Sequence, residues 1–315
     1  MMIGKMTALG ALALAAGSVA AAQAARFEPG TRFTAVSGVV QAYSPAGQSL
    51  GSITLPSYGC GSDTMGESRG IAFGPQGYLY AVRSNNFVGS GTGQPCVQVV
   101  DRTGALVKSY PFSAWIGGLV TSGSIHFSPD KSTFYVSALD GVFRFDVDGT
   151  SGTSLSPSIG GSVDLAVMPD GNLLVSDGSS LARYTAAGVQ VGPRVTMLSD
   201  PYGLATGAPI LMLNDVRGVA YDAATNTTFV TMLGYSDFFF QLLALDGSSN
   251  RIKGLTSYWY GSEIRRTVDG HLVVGSWTQA PGVFTYTDGR PGSFRLEGQL
   301  GSASAVFTSS WNKKP

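Results

Sequence analysis

Gly123–Gly149, GSIHFSPDKSTFYVSALDGVFRFDVDG, is the stretch that decides the fold. Ser124–Phe127 is apolar at alternate positions, Ser128-Pro129-Asp130 supplies a turn, and Thr133–Ser137 is a β-branched and aromatic run. Asp140-Gly141 turns again, Val142–Val147 alternates, and Asp148-Gly149 ends the unit. Successive side chains of a strand point to opposite faces, so alternation between turn residues predicts short strands running up and down.

Related units lie on both sides. The first comprises Arg32–Ser37, Val39–Tyr43 and Leu50–Leu55 and lacks a leading strand. The second has Gly70–Phe73, Tyr78–Val82, Val97–Val100 and Ala105–Tyr110. The fourth has Asp164–Val167, Asn172–Ser176 and Leu181–Thr185, and the irregular segment Pro193–Leu213 links it to the fifth. The fifth has Gly218–Tyr221, Thr227–Thr231 and Phe238–Leu245; the sixth has Glu263–Arg266, His271–Ser276 and Val283–Thr287. Their first turns place Gly30, Gly77, Lys131, Gly171, Asn226 and Gly270 at spacings of 47, 54, 40, 55 and 44 residues. A repeat of this size with about four strands is the signature of a β-propeller. One strand, Ala303–Thr308 in SASAVFTSSW, is left over at the end, and the first unit lacks one at the beginning. The two deficits complement each other. The sequence therefore predicts an all-β, six-bladed propeller closed by its C-terminal strand, forming a single domain over residues 26–315.

Composition agrees. Of 315 residues 43% are hydrophobic and only 13% charged, and the 43 glycines show no Gly-X-Y period. Twenty basic residues balance twenty acidic ones without a basic stripe, which argues against nucleic acid as a partner. Residues 1–25 read as a bacterial-type signal peptide: Lys5 precedes the uncharged Met6–Ala22, and Ala20-Ala21-Ala22 or Ala22-Gln23-Ala24 offers the cleavage site. The expectation is a secreted or periplasmic monomer, free of the membrane once processed. Cys60 and Cys96 can form a disulfide in that compartment, since neither lies in the CxxC spacing of zinc sites.

The unit pattern stands in IHFSPDKSTFYVS, LAVMPDGNLLVS and IAFGPQGYLYAV. It resembles six-bladed propellers of the NHL and SMP-30/gluconolactonase-like kind. NHL-like relatives are mostly binding scaffolds, whereas SMP-30-like lactonases hold a divalent metal in the channel with Glu, Asn and Asp. That second branch implies a metal at Glu67, with Asn214 and Asp215 as substitutes, because Gly123-Ser124 stands where the pattern has Asn-Gly.

Some residues break the repeat's own rule. Aligned inner strands read Ile71-Ala72-Phe73, Ile125-His126-Phe127, Leu165-Ala166-Val167, Val219-Ala220-Tyr221 and Ile264-Arg265-Arg266. His126 and Arg265 replace alanine, and Arg266 replaces an apolar residue, in strands that line the channel. Glu67, Arg69, Asp164, Arg217 and Glu263 stand at or just before these strands. Such residues could form a polar channel mouth with arginines as forked donors, or could be ion pairs tying blades together. Asp146-Val147-Asp148-Gly149 starts like a calcium loop, but Pro157 stands where the closing glutamate belongs. No GxSxG or HExxH accompanies His126. The sequence thus points to a scaffold without cofactor that binds a small polar ligand or protein partner. The alternative is a channel-centred lactonase or hydrolase needing a cation such as Ca²⁺ or Zn²⁺.

Overall fold

The computed structural model describes residues 30–58, 67–84, 95–113, 123–155, 159, 163–201, 209–233, 240–258, 261–267, 269–276, 279–287, 293–301 and 307–310. The leader and Cys60 lie outside these residues, as do the side chains of Glu67 and Arg69.

Blade 2 consists of Glu67–Phe73, Leu79–Ser84, Cys96–Val100 and Leu106–Pro111, paired antiparallel in sequence order. Blade 3 repeats the pattern with Ile125–Phe127, Thr133–Ala138, Gly141–Asp146 and Gly152–Ser154. Blade 5 uses Val216–Asp222, Thr227–Leu233, Phe240–Leu245 and Ile252–Tyr258; blade 6 uses Gly261–Arg266, Leu272–Ser276, Gly282–Tyr286 and Phe294–Gln299. Blade 4 has three regular strands, Asp164–Val167, Leu173–Ser176 and Leu181–Tyr184. Residues 189–195 cover its outer edge: Leu181 and Val195 exchange backbone bonds of 2.9 and 2.8 Å, and Val191 N donates to Arg183 O at 2.8 Å. The irregular linker after it contains a small hairpin, Met197–Ser199 with Ile210–Met212, which turns Leu198 and Leu211 into the core.

Blade 1 is built from both ends of the chain. Arg32–Val36, Val39–Tyr43 and Ser49–Thr54 follow one another, and Phe307–Ser310 pairs with Arg32–Ala35 as the innermost strand. Each inner strand packs against the next around the ring, and that of blade 6 packs against Phe307–Ser310. The ring is closed.

Among the described residues the hydrophobic core is divided into six seams, one between each pair of adjacent blades. This follows from blade geometry: a strand exposes alternate side chains on both faces, so both faces need a neighbour. The seam between blades 2 and 3 is aromatic, with Phe134 stacked on Phe145 at 4.8 Å and Tyr110 edge-on to both. At the closing seam Tyr43 meets Val273, Val283 and Leu300. A polar tie reinforces it: buried Arg32 reaches Asp269 of blade 6 at 3.2 Å and donates to Pro45 O at 2.8 Å.

The turn position that marks the repeat has one backbone conformation in all six blades. Gly30, Gly77, Lys131, Gly171, Asn226 and Gly270 all have φ between 47° and 84°. Glycine enters this left-handed region freely, whereas a residue with a Cβ is disfavoured there. Lys131 is exposed at φ 57°. Lys131→Gly is expected to stabilise the protein by roughly 0.5–1 kcal/mol, net of glycine's greater chain entropy. Urea unfolding checks this, and an unchanged or lower midpoint contradicts it.

Candidate functional site: a charged cluster on the inner strands

The register of the inner strands determines which side chains converge. Ala72, His126, Ala166, Ala220 and Arg265 occupy equivalent positions, and two residues earlier on the same face stand Gly70, Ser124, Asp164, Gly218 and Glu263. Where this earlier position is glycine, the neighbouring backbone fills the space. A Cβ on Gly70 would lie 2.1 Å from Gly123 O, and one on Gly218 would lie 2.4 Å from Ser262 O. Where it is Asp164 or Glu263, a carboxylate enters the ring's interior instead.

Asp164 is the centre of the group. Its side chain is 1% exposed, yet it contacts three other blades. Oδ2 accepts from Val219 N of blade 5 at 2.8 Å and lies 3.6 Å from Arg265 Nη1 of blade 6. Oδ1 accepts from its own neighbour Leu165 N at 2.8 Å and lies 3.4 Å from His126 Nε2 of blade 3. Arg265 also donates to the Glu263 carboxylate, which is 2% exposed, and to Ile264 O at 2.9 Å. The His126 Nε2 atom is fully buried and its near partner is the Asp164 carboxylate. Ser124 bonds to Ser137 Oγ at 2.9 Å, and Ser137 in turn donates to Val163 O beside Asp164.

Burial and the Arg265 guanidinium push the His126 imidazole down to about 4, against the opposing pull of Asp164. Burial alone would raise the Asp164 carboxyl, but Arg265, His126 and Ser124 together hold it below the usual carboxylate range. Burial lowers Arg265, with Asp164 resisting. At neutral pH the imidazole is therefore uncharged, and two carboxylates face one guanidinium. The carboxyl groups of Asp164 and Glu263 converge on this guanidinium from two different blades.

The other residues singled out in the sequence are placed differently. Arg217 folds back onto Asp215 as a fork, Nε to Oδ1 at 2.5 Å and Nη2 to Oδ2 at 2.6 Å. Asn214 beside it is exposed. Arg266 sits at the far end of its strand, where it pairs with Asp222 of blade 5 at 3.0 Å and donates to Gly270 O. The structure thus brings together His126, Asp164, Glu263 and Arg265, and leaves Arg217 and Arg266 in separate pairs. Glu67 and Arg69 belong to the inner strand of blade 2, with side chains outside the described residues. Sequence reasoning passed over Ser124 as a participant; its signal was the register, two residues before His126 on the same face.

No family model matches the chain, and no curated protein matches it. Among solved structures, the ring is similar to the Kuenenia stuttgartiensis hydrazine synthase at 16% identity, covering 79% of this chain and 70% of that one, with a TM-score of 0.53. It is also similar to a proposed 6-phosphogluconolactonase from Bacteroides uniformis at 12% identity, covering 90% of this chain and 100% of that one, with a TM-score of 0.54. At such identities the likeness establishes the fold, a β-propeller, and nothing of the chemistry.

Two predictions follow from the cluster's burial. Asp164→Ala leaves Arg265 and the Val219 N–H without their shared acceptor, so it should lower stability by about 3–5 kcal/mol. Glu297→Ala, removing a partner of the exposed Arg295, should change stability by less than about 1 kcal/mol. Denaturant unfolding of the two variants compares them, and equal losses would contradict the assigned role. For His126 the folded value lies below the unfolded one, so the unfolded chain binds the extra proton. Stability should be complete above about pH 6.5 and fall as pH drops toward 4, by up to about 3 kcal/mol. Replacing His126 with Gln should flatten that slope; an unchanged slope in the variant would rule out this origin.

Proposed function

We propose that the protein is an exported six-bladed propeller that serves as a binding scaffold, taking a small polar ligand of positive or neutral charge on the inner-strand cluster. The observation that carries this reading is the convergence of two buried carboxyl groups, Asp164 and Glu263, on the inner strands. Asp164 and Glu263 share one guanidinium, and Arg217 and Arg266 are each engaged by a carboxylate of their own. A polar mouth that captures anions through arginine forks is therefore disfavoured among the described residues. Buried carboxylates that converge from different blades favour a cation, because the low local dielectric strengthens the field.

Export rests on the leader-like residues 1–25, and the Cys60–Cys96 disulfide belongs to the same proposal. Cys96 is fully buried at the start of its strand in blade 2, where closing a loop to Cys60 would constrain the unfolded chain. No helix among the described residues is long and apolar enough to cross a membrane. The lactonase alternative draws on Glu67, Asn214 and Asp215, and of these Asp215 is already held by Arg217.

Thermal-shift measurements with a panel of amines, neutral polyols, divalent cations and sugar acids test the reading. Cationic or neutral members should raise the melting temperature of the wild type and fail to do so for Glu263→Gln. Stabilisation by sugar acids alone would overturn it, as would lactone turnover that Glu67→Gln abolishes. Mass spectrometry of exported, unreduced protein should show a new N-terminus near Ala22–Ala24 and a Cys60–Cys96 cross-link.

A further inference from the structure

The cluster carries a more specific inference, which rests on the ligand-binding reading just given. We propose that His126, Asp164 and Glu263 form a three-donor site for a divalent transition-metal cation such as Zn²⁺, and that Arg265 is its displaceable internal occupant. The three donors come from blades 3, 4 and 6, and one ligand atom from each lies within 4.8 Å of the others. An imidazole with two carboxylates is a donor set suited to zinc and neighbouring transition metals rather than to the all-oxygen shells of calcium or magnesium.

Geometry supports this. Zinc ligands at about 2.0–2.1 Å in a tetrahedron stand roughly 3.4 Å apart. His126 Nε2 and Asp164 Oδ1 are 3.4 Å apart, the spacing that two ligands of one zinc would have. This nitrogen is buried and faces the carboxylate. Asp164 is held by the backbone N–H groups of Leu165 and Val219, so one side of the site is fixed before any ion enters. Fixed donors of this kind are what supporting hydrogen bonds provide in metal centres.

The guanidinium of Arg265 bridges Glu263 and Asp164, placing a positive charge beside the position a cation would take. Closing Glu263 onto an ion requires releasing that bridge. Arg265 is 12% exposed and already donates to Ile264 O, so its guanidinium can withdraw while retaining a partner. The arginine thereby holds the donors apart when the ion is absent and competes with it when present.

Zinc titration of the metal-stripped full-length protein, followed by gel filtration and elemental analysis, tests the proposal. Wild type should retain one zinc per chain. Arg265→Gln should bind zinc at least roughly tenfold more tightly, and His126→Gln at least roughly tenfold more weakly. Glu263→Asp keeps the charge and the donor and should retain the ion if Glu263→Gln fails to fold. Cobalt(II) substitution adds a direct readout, a ligand-field spectrum that His126→Gln alters. Failure of wild type to retain zinc overturns the proposal, as does retention by His126→Gln equal to wild type. If zinc fails while amines or polyols still raise the wild-type melting temperature through Glu263, the metal site falls and the broader binding reading stands.

Discussion

Pairing of Phe307–Ser310 with Arg32–Ala35 is the constraint on which the rest depends. A four-stranded blade has two faces to bury and only a few residues per strand with which to do it. Each seam is therefore stable only if a neighbour supplies its other half, and six seams require a closed ring. Completing blade 1 with a strand from the far end of the chain ties the last seam to the first. Arg32 adds the polar half of that closure by reaching across to Asp269. Long-range contacts of this type carry a large loop-closure entropy that only the finished ring offsets.

Closure also makes the chemistry of the inner strands possible. Once six strands surround a common axis, a side chain that points inward meets residues distant in sequence. Asp164 shows the result, since its carboxylate joins blades 3, 4, 5 and 6 through one imidazole, one backbone amide and one guanidinium. Removing charges from water is costly, and a buried ion pair often does no better than apolar packing. The ring tolerates the cost because small residues, Gly70, Ala72, Gly218 and Ala220, keep the equivalent positions of other blades closely packed. Polar groups at a position the repeat otherwise keeps small mark where structure has been given up for something else.

Much of this was legible in the residues, and the rest was hidden for physical reasons. The inner and middle strands of the units were readable because burial on both faces demands short runs of apolar, β-branched and aromatic residues, and the turn position was readable because its left-handed backbone favours glycine or asparagine. The outer strands of blades 1 and 2 were readable as well, but those of blades 3, 5 and 6 were not. Gly152–Ser154, Ile252–Tyr258 and Phe294–Gln299 lie toward the rim, and five of the six residues of Phe294–Gln299 are exposed, so little hydrophobic pattern survives. In blade 4 the covering segment 189–195 is interrupted by Gly192 and Pro193, which erases the strand signal altogether. For the site, the sequence singled out His126, Asp164, Glu263 and Arg265 by their departure from the repeat. It did not separate them from Arg217 and Arg266, because partner choice depends on which end of a strand a side chain occupies. The pairing of Arg217 with Asp215, two residues away, needed the geometry.

The most direct test is to see what occupies the space between His126, Asp164 and Glu263 in protein purified from its natural source. A crystal structure of that material should show a cation or a neutral polar ligand contacting the two carboxylates, with the Arg265 guanidinium moved off at least one of them. Ordered water alone, with Arg265 still bridging Asp164 and Glu263, would contradict the assignment of this cluster as a binding site and leave it as a tie between blades.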